Sequence, residues 1–319
     1  MAIFDVFNGD ADGICALLQL RLNEPLESEL VTGVKRDVQL LKRVQAGVGD
    51  RVTVLDISLQ TNRDDLVRLL SEGAHVFYVD HHMPGEIPDH SALQTIIDTD
   101  PEICTSLLID RHLEGCYRAW ALTAAFGDNL VETAFSLGQA SGFSSDQLEQ
   151  MRLLGTCINY NGYGETVEDL HIPPMQLYQF LLEYRNPLDF VADRGSCFEG
   201  LKQGYQEDLD RAGRVKPDFE TDSVAVYLLP DQPWSRRVSG IFGNHLANLE
   251  PDRAHAVLTL NRQNGYQVSV RAPLSNRRDA DLLCSRFPSG GGRKGAAGIN
   301  HLPMEIYPDF VDEMKKTYG

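Results

Sequence analysis

The chain has 319 residues, 42% of them hydrophobic, with 29 basic and 46 acidic side chains and a net charge of −17. That is length for two domains with full cores, and no apolar run approaches the ~20 residues of a membrane span. The charge is uneven: residues 216–319 hold 13 basic against 12 acidic side chains, so residues 1–215 carry a net −18, which excludes the basic track of a general binder of long nucleic acid and suits a holder of cations.

Along the chain, short apolar runs alternate with helical spacing. The first strand is expected at 3–7, a helix at 13–22, a strand at 29–34, a helix at 37–44, a strand at 52–55, a helix at 64–70, and strands at 75–79 and 95–97. This alternation predicts a parallel, doubly wound sheet. Residues 105–184 follow with Leu/Ala spacing near 3.6, a helical extension. Residues 199–221 read as a helix and a polar linker ending Lys-Pro-Asp-Phe-Glu-Thr-Asp. A second α/β unit is expected beyond it, with strands at 224–229, 256–260 and 267–271 and helices at 238–248 and 280–286. The fold class is therefore α/β: an N-terminal parallel-sheet domain (1–198), a linker (199–221) and a smaller α/β C-terminal domain (222–319), with an active-site cleft between the domains. No repeat or low-complexity tract interrupts this order. The start of the chain, Met1 to Asp10, has neither the positive region nor the cleavage site of a signal peptide. The six cysteines, Cys15, Cys104, Cys116, Cys157, Cys197 and Cys284, contain no Cys-x-x-Cys pair. Both point to reduced thiols in a cytoplasmic protein.

Three of the expected strands run into acidic residues at their carboxyl ends. The first leads to Asn8-Gly9-Asp10-Ala11-Asp12-Gly13, the third to Asp56, and the fourth to Asp80-His81-His82. Ligands of open parallel sheets bind outside those ends, so the side chains are expected to converge on one crevice. Carboxylates crowded together raise one another's pKa, and divalent cations remove that penalty. A carboxylate and imidazole donor set suits Mn²⁺, with Mg²⁺ or Co²⁺ as substitutes. Alone, each of these Asp residues could equally be a helix N-cap. An EF-hand is excluded because its twelfth position is Gln19 in place of a bidentate Glu. The dehalogenase-type nucleophile is excluded because Asp12 is followed by Gly13.

These residues resemble the DHH phosphoesterase superfamily. Asp10-Ala-Asp12-Gly13 is similar to its first motif, Asp56 in Leu-Asp-Ile-Ser to its second, Asp80-His81-His82 to its third and Ala-Ala-Phe-Gly-Asp128-Asn to its fourth. Ser289-Gly-Gly-Gly-Arg293-Lys-Gly-Ala-Ala-Gly298 resembles the glycine-rich signature of the C-terminal DHH-associated domain. The resemblance implies two divalent cations, one held by Asp10, Asp56, His81 and Asp128, the other by Asp12 and the bridging Asp56. It implies that His82 meets the scissile phosphate or protonates the leaving group, and that Asp80 orients a histidine. Two departures stand out. Asn8 occupies a position where the exonuclease branch has Asp, so it would ligate only through its carbonyl oxygen. Arg293 replaces the signature's His, keeping phosphate recognition and losing proton transfer.

Residues 271–294 gather Arg271, Arg277, Arg278, Arg286, Arg293 and Lys294 against only Asp279 and Asp281. Gly290, Gly291 and Gly292 allow close backbone approach and an anion nest. Arg271, the three glycines, Arg293 and Lys294 are the expected substrate clamp. Asn159-Tyr160-Asn161-Gly162-Tyr163-Gly164 is unusual in composition, with aromatics suited either to base stacking or to loop packing. The reading is a Mn-dependent hydrolase acting on phosphodiester bonds of short nucleotidic substrates: oligoribonucleotides, dinucleotides or 3′-phosphonucleotides. Short single-stranded nucleic acid is an allowed partner, a membrane is not, and a homodimer is compatible. The alternatives are a polyphosphate hydrolase, a RecJ-like exonuclease and a metal-dependent nucleotide sensor without turnover.

Overall fold

The computed structural model describes residues 1–319, which divide into two units, Met1–Gln203 and Gly204–Gly319. The first unit is built on β1 (Ile3–Phe7), α1 (Ala11–Asn23), β2 (Glu29–Val31), β3 (Arg51–Leu55), α2 (Leu59–Ser71), β4 (His75–Asp80) and β5 (Leu93–Ile97). The five strands pair only in parallel, in the order β2-β1-β3-β4-β5. The chain leaves β1 to one side for β2 and returns on its other side for β3. The switch point therefore lies between β1 and β3, at the carboxyl edge.

Alternation along the strands gives the sheet two apolar faces. Phe4, Val6, Val52, Val54, Val76 and Tyr78 pack with Leu59, Leu66, Leu69 and Leu70 of α2. On β1 the intervening Asp5 is fully buried and is held by Arg21 of α1, with Nε to Oδ2 at 2.8 Å, and by the Ser28 hydroxyl at 2.6 Å. Both charges are paired and hydrogen-bonded, as burial requires.

The expected helix at 37–44 does not form; only a 3₁₀ turn, Leu41–Arg43, is present. Its backbone is served by α2 instead. Asn62 accepts from Leu41 N at 3.3 Å and donates to Val38 O at 2.7 Å, and Arg68 donates to Leu41 O and Val44 O at 3.1 Å each. Leu40, Leu41 and Val44 still reach the core, so the helical spacing reported burial without a helix.

The helical extension comprises α3 (Thr105–His112), α4 (Arg118–Gly127), α5 (Val131–Ala140), α6 (Ser145–Asn161), α7 (Pro174–Leu181) and α8 (Pro187–Ala192). Its own core joins Leu107, Leu122, Ala125, Leu148 and Met151. The unit boundary falls inside α9 (Phe198–Ala212).

The second unit contains β6 (Phe219–Glu220), β7 (Val224–Leu228), α10 (Pro233–Leu249), β8 (Ala254–Leu260), β9 (Gly265–Arg271), α11 (Ala280–Cys284), β10 (Gly290–Arg293), β11 (Ala296–Pro303) and α12 (Tyr307–Tyr318). The mixed sheet runs β10-β11-β9-β8-β7-β6, with only β7 and β8 parallel. The two-residue period of β7 divides its side chains cleanly. Val224 and Val226 face Leu283, Phe310 and Met314 of α11 and α12, whereas Ala225 and Tyr227 face Val238, Phe242 and Leu246 of α10. The expected glycine-rich turn is a hairpin, and the helix expected to Arg286 stops at Cys284.

Candidate metal centre

The centre is assembled at the carboxyl edge of the parallel sheet, on both sides of the switch point. Asn8, just past β1, donates its backbone N–H to Leu55 O at 3.2 Å. Asp10 caps α1: its Oδ1 accepts from the backbone N–H groups of Asp12 and Gly13, at 3.1 Å each. Residue 13 must be glycine, because a Cβ there would lie 2.3 Å from the Asn8 carbonyl oxygen.

Asp12, in the first turn of α1, reaches across to the start of α3. Its Oδ2 accepts from Thr105 N and its Oδ1 from Ser106 N, both at 2.7 Å. These are orphan donors of a helix N-terminus, where a carboxylate is favoured. Asp56 follows β3 with φ +58, a left-handed conformation that costs a non-glycine residue energy and is found where a side chain must be aimed. Its backbone N–H is tied to Val79 O at 3.1 Å.

β4 delivers the Asp-His-His run. Asp80 is fully buried, and its Oδ1 accepts from the His81 backbone N–H at 2.9 Å and from His82 Nδ1 at 2.7 Å. His81 Nδ1 donates to Ile103 O at 2.9 Å. With both Nδ1 atoms engaged, each ring turns its Nε2 outward. His81 Nε2 lies 3.5 Å from Asp56 Oδ1 and 4.0 Å from both Asp12 Oδ2 and Asp128 Oδ2. Asp128 arrives from the C-terminal cap of α4. Ligating atoms of Asp56, His81 and His82 all fall within 4.8 Å of one another.

Asp12, Asp56 and Asp128 lie around His81. Asp10 neighbours Asp56 and also faces a side chain that the sequence did not single out. Lys35, beyond β2, places its Nζ 2.5 Å from Asp10 Oδ2, 2.9 Å from Asn159 Oδ1 and 3.8 Å from Asp128 Oδ1. Only its position signalled this, on a loop at the carboxyl end of the strand next to β1. The Asn159-to-Gly164 segment packs around it: Tyr163 lays its ring 5.5 Å from Nζ, and Gly162 accepts the Lys35 backbone N–H at 2.8 Å. Tyr160 is buried, with its hydroxyl 2.8 Å from His171 Nε2, which leaves it no face for a base.

The electrostatics are those of a crowded acidic site. Burial, with the charges of Asp10 and Asp12, pushes the Asp56 carboxyl well above its ordinary range. Burial also raises Asp128, against the pull of Lys35. Asp10 is lowered, because the Lys35 ammonium outweighs the cost of burial. Burial works against a charged His81, but Asp56, Asp12 and Asp128 hold its pKa up to about 10. Buried oxygens at Asn8 (Oδ1) and Asp80 (Oδ2) have no hydrogen-bond partner. Carboxylates gathered around one imidazole nitrogen fit a divalent cation of the Mn²⁺ or Mg²⁺ type.

In the second unit the expected clamp residues separate. Arg271 is engaged by its own unit, donating Nε to Asn244 Oδ1 at 2.5 Å, Nη1 to Ser269 Oγ and Val270 O at 3.0 Å each, and Nη2 to Gly240 O at 3.1 Å. Arg293 and Lys294 are exposed at the end of β10. Among the glycines, Gly290 is required by packing, since a Cβ would lie 1.9 Å from Cys284 O, and Gly292 by its φ of +146. Gly291 has open space where a side chain would stand.

No protein-family model matches the sequence, and no curated protein matches it. Solved structures do. A manganese-bound RecJ exonuclease aligns over 99% of this chain and 89% of its own, at 18% identity and TM-score 0.57. RecJ from Thermus thermophilus with Mn²⁺ aligns over 99% of this chain at 17% identity and TM-score 0.63, and this chain spans 52% of its length. The pGpG-specific phosphodiesterase PggH from Vibrio cholerae aligns over 99% and 98% of the two chains, at 15% identity and TM-score 0.53. The chain has a DHH-like fold.

Proposed function

We propose that this chain is a divalent-cation-dependent phosphoesterase that hydrolyses phosphodiester bonds of short nucleotidic substrates. The observation that carries the reading is the convergence of Asp12, Asp56 and Asp128 within 4.0 Å of the outward-turned Nε2 of a buried histidine, at the edge where open sheets bind ligands. The structural neighbours, an exonuclease and a pGpG phosphodiesterase, support a nucleotidic substrate.

Asp12, Asp56, His81 and Asp128 would hold a divalent cation, Mn²⁺ foremost, with Asp10 and Asn8 at the edge of the same crevice. Bound there, divalent cations supply an activated water and charge neutralisation for the phosphoryl group. The chain's own part is organisation. Asp80 accepts the Nδ1 proton of His82 and so orients the half-exposed ring; in its imidazolium form His82 would give the Nε2 proton to the leaving oxygen and keep the Nδ1 proton on Asp80. Arg293 and Lys294, with the open backbone at Gly291, are the candidates for binding a second phosphate of the substrate. The domain reading of a catalytic part at 1–198 and a substrate part at 222–319 goes with this assignment.

A preference for short substrates follows from the charge: a net −18 over residues 1–215 repels a long polyanion. No helix is long and apolar enough to cross a membrane. The unpaired cysteines, four of them buried, support a reducing, cytoplasmic setting. The test is turnover with Mn²⁺ of bis-p-nitrophenyl phosphate, dinucleotides, a pentamer, a 25-mer, a 3′-phosphonucleotide and polyphosphate. The expected result is kcat/KM greatest at about two to five nucleotides and little affected by salt. A rate rising with length and falling steeply with salt would favour a processive exonuclease. Cation binding without turnover of any substrate would favour a sensor.

A further inference from the structure

We propose that the Lys35 ammonium takes the place of one of the two cations of this centre, so that the protein binds a single divalent cation, at Asp12, Asp56, His81 and Asp128. This rests on the phosphoesterase reading, and concerns how many cations the site takes. Two cations are what the family resemblance implies. Here one positive charge is already covalently supplied.

Three observations carry the inference. First, Lys35 Nζ is 2.5 Å from Asp10 Oδ2. A cation bound to that oxygen would have to sit about 2.1–2.5 Å from it, in the space the ammonium fills, whereas the oxygens of Asp12 accept only neutral amides. Second, Lys35 is held in its position. Asn159 accepts from its Nζ at 2.9 Å, its backbone N–H goes to Gly162 O at 2.8 Å, and its carbonyl accepts Asn8 Nδ2 at 3.2 Å. The ammonium also reaches Asp128 at 3.8 Å, so it lies between two carboxylates as a metal ion would. Third, the neighbouring residue 8 is a neutral Asn. It adds no charge to attract a second cation at the end where lysine repels one.

The arrangement at His81 is the opposite. Its Nε2 faces carboxylate oxygens of Asp12, Asp56 and Asp128, and no lysine or arginine nitrogen forms an ion pair with Asp12 or Asp56. The Lys35→Met variant keeps the length of the side chain and removes its charge. It would leave Asp10 Oδ2 and the orphaned Asn8 Oδ1 open to a second cation.

The experiment is a count. Metal-stripped full-length protein is dialysed against Mn²⁺, and bound metal is measured by mass spectrometry alongside the electron paramagnetic resonance spectrum. The expected result is one Mn²⁺ per chain with an isolated-ion spectrum in the wild type. In Lys35→Met the expectation is two per chain with an exchange-coupled spectrum. Two coupled ions in the wild type would overturn the proposal and leave the phosphoesterase reading intact. One ion in both proteins would also overturn it, because the lysine would not be what excludes the second. Absence of bound Mn²⁺ in both would overturn the proposal and the functional reading together. If Lys35→Met fails to fold, Lys35→Gln carries the same expectation, and a wild-type count of two is decisive against the proposal by itself.

Discussion

The candidate metal centre of the first unit and the basic hairpin of the second handle charge in opposite ways. In the first, three acidic groups are positioned by the backbone before any ligand arrives: Asp10 by the start of α1, Asp12 by the start of α3, and Asp56 by a left-handed turn. In the second, the arginine that is fixed, Arg271, is fully engaged in its own unit, whereas Arg293 and Lys294 are exposed. Preorganised charge suits the chemical step, where geometry sets the rate. Exposed, long-stemmed charge suits recognition, where adaptability costs little.

The sharpest way to break this contrast is at Asp56. Asp56→Asn keeps a residue that tolerates positive φ and removes the most strongly raised carboxylate of the cluster. It is expected to lower kcat/KM for bis-p-nitrophenyl phosphate by roughly a thousandfold or more. The melting temperature in chelator should rise, because buried repulsion is relieved. Retained activity after both the substitution and chelation would remove Asp56 from the centre.

The next effect separates the two histidines. His82→Ala should cost about 10²–10⁴ in kcat, the range of a general acid, with bound Mn²⁺ unchanged. Asp80→Asn should cost about 10–100-fold through the loosened His82 ring. His81→Ala should instead lose metal, read by dialysis. Equal metal loss at His81 and His82 would mean that both are ligands.

The two arginines give a smaller and more selective contrast. Arg293→Ala should raise KM for a dinucleotide by roughly tenfold, the scale of a charge-assisted hydrogen bond, while p-nitrophenyl phosphate is unaffected. Arg271→Ala should leave that ratio alone and destabilise the second unit by about 1–3 kcal/mol, seen as a lower melting temperature. The reverse pattern would exchange their roles.

The smallest effect is on pH and concerns the metal-free protein. His81 is held up to about 10, above its unfolded value near 6.5. Its contribution to stability is therefore complete below about pH 6.5 and is lost as pH rises through 10. A chelated sample should melt a few degrees lower at pH 9.5 than at pH 6.5, and Mn²⁺ should abolish that slope by taking over the carboxylates. A slope unaltered by the metal would place the titrating group elsewhere.

Much of this was legible in the sequence, for reasons that can be named. Strands that end in Asp declare themselves because apolar alternation stops where polar chemistry starts, and a parallel sheet brings such ends together. The segment at 37–44 misled because apolar spacing records which side chains are buried, and not which groups satisfy the backbone; Asn62 and Arg68 do that from α2. Lys35 follows an expected strand, but that its ammonium meets Asp10 depends on β2 lying beside β1, a pairing no local pattern encodes. The split between Arg271 and Arg293 was hidden for the same reason: both are arginines in a basic stretch, and only the position of Asn244 and Gly240 on α10 tells them apart.

Asp12 joins two jobs that are usually separate. The carboxylate that would hold a cation is also the group that receives the first amides of α3 at 2.7 Å. Electron density drawn toward a cation must weaken those two hydrogen bonds. The amide protons of Thr105 and Ser106 are thus a built-in gauge of occupancy, readable as chemical shifts and exchange rates in a titration, without a substrate or a mutation.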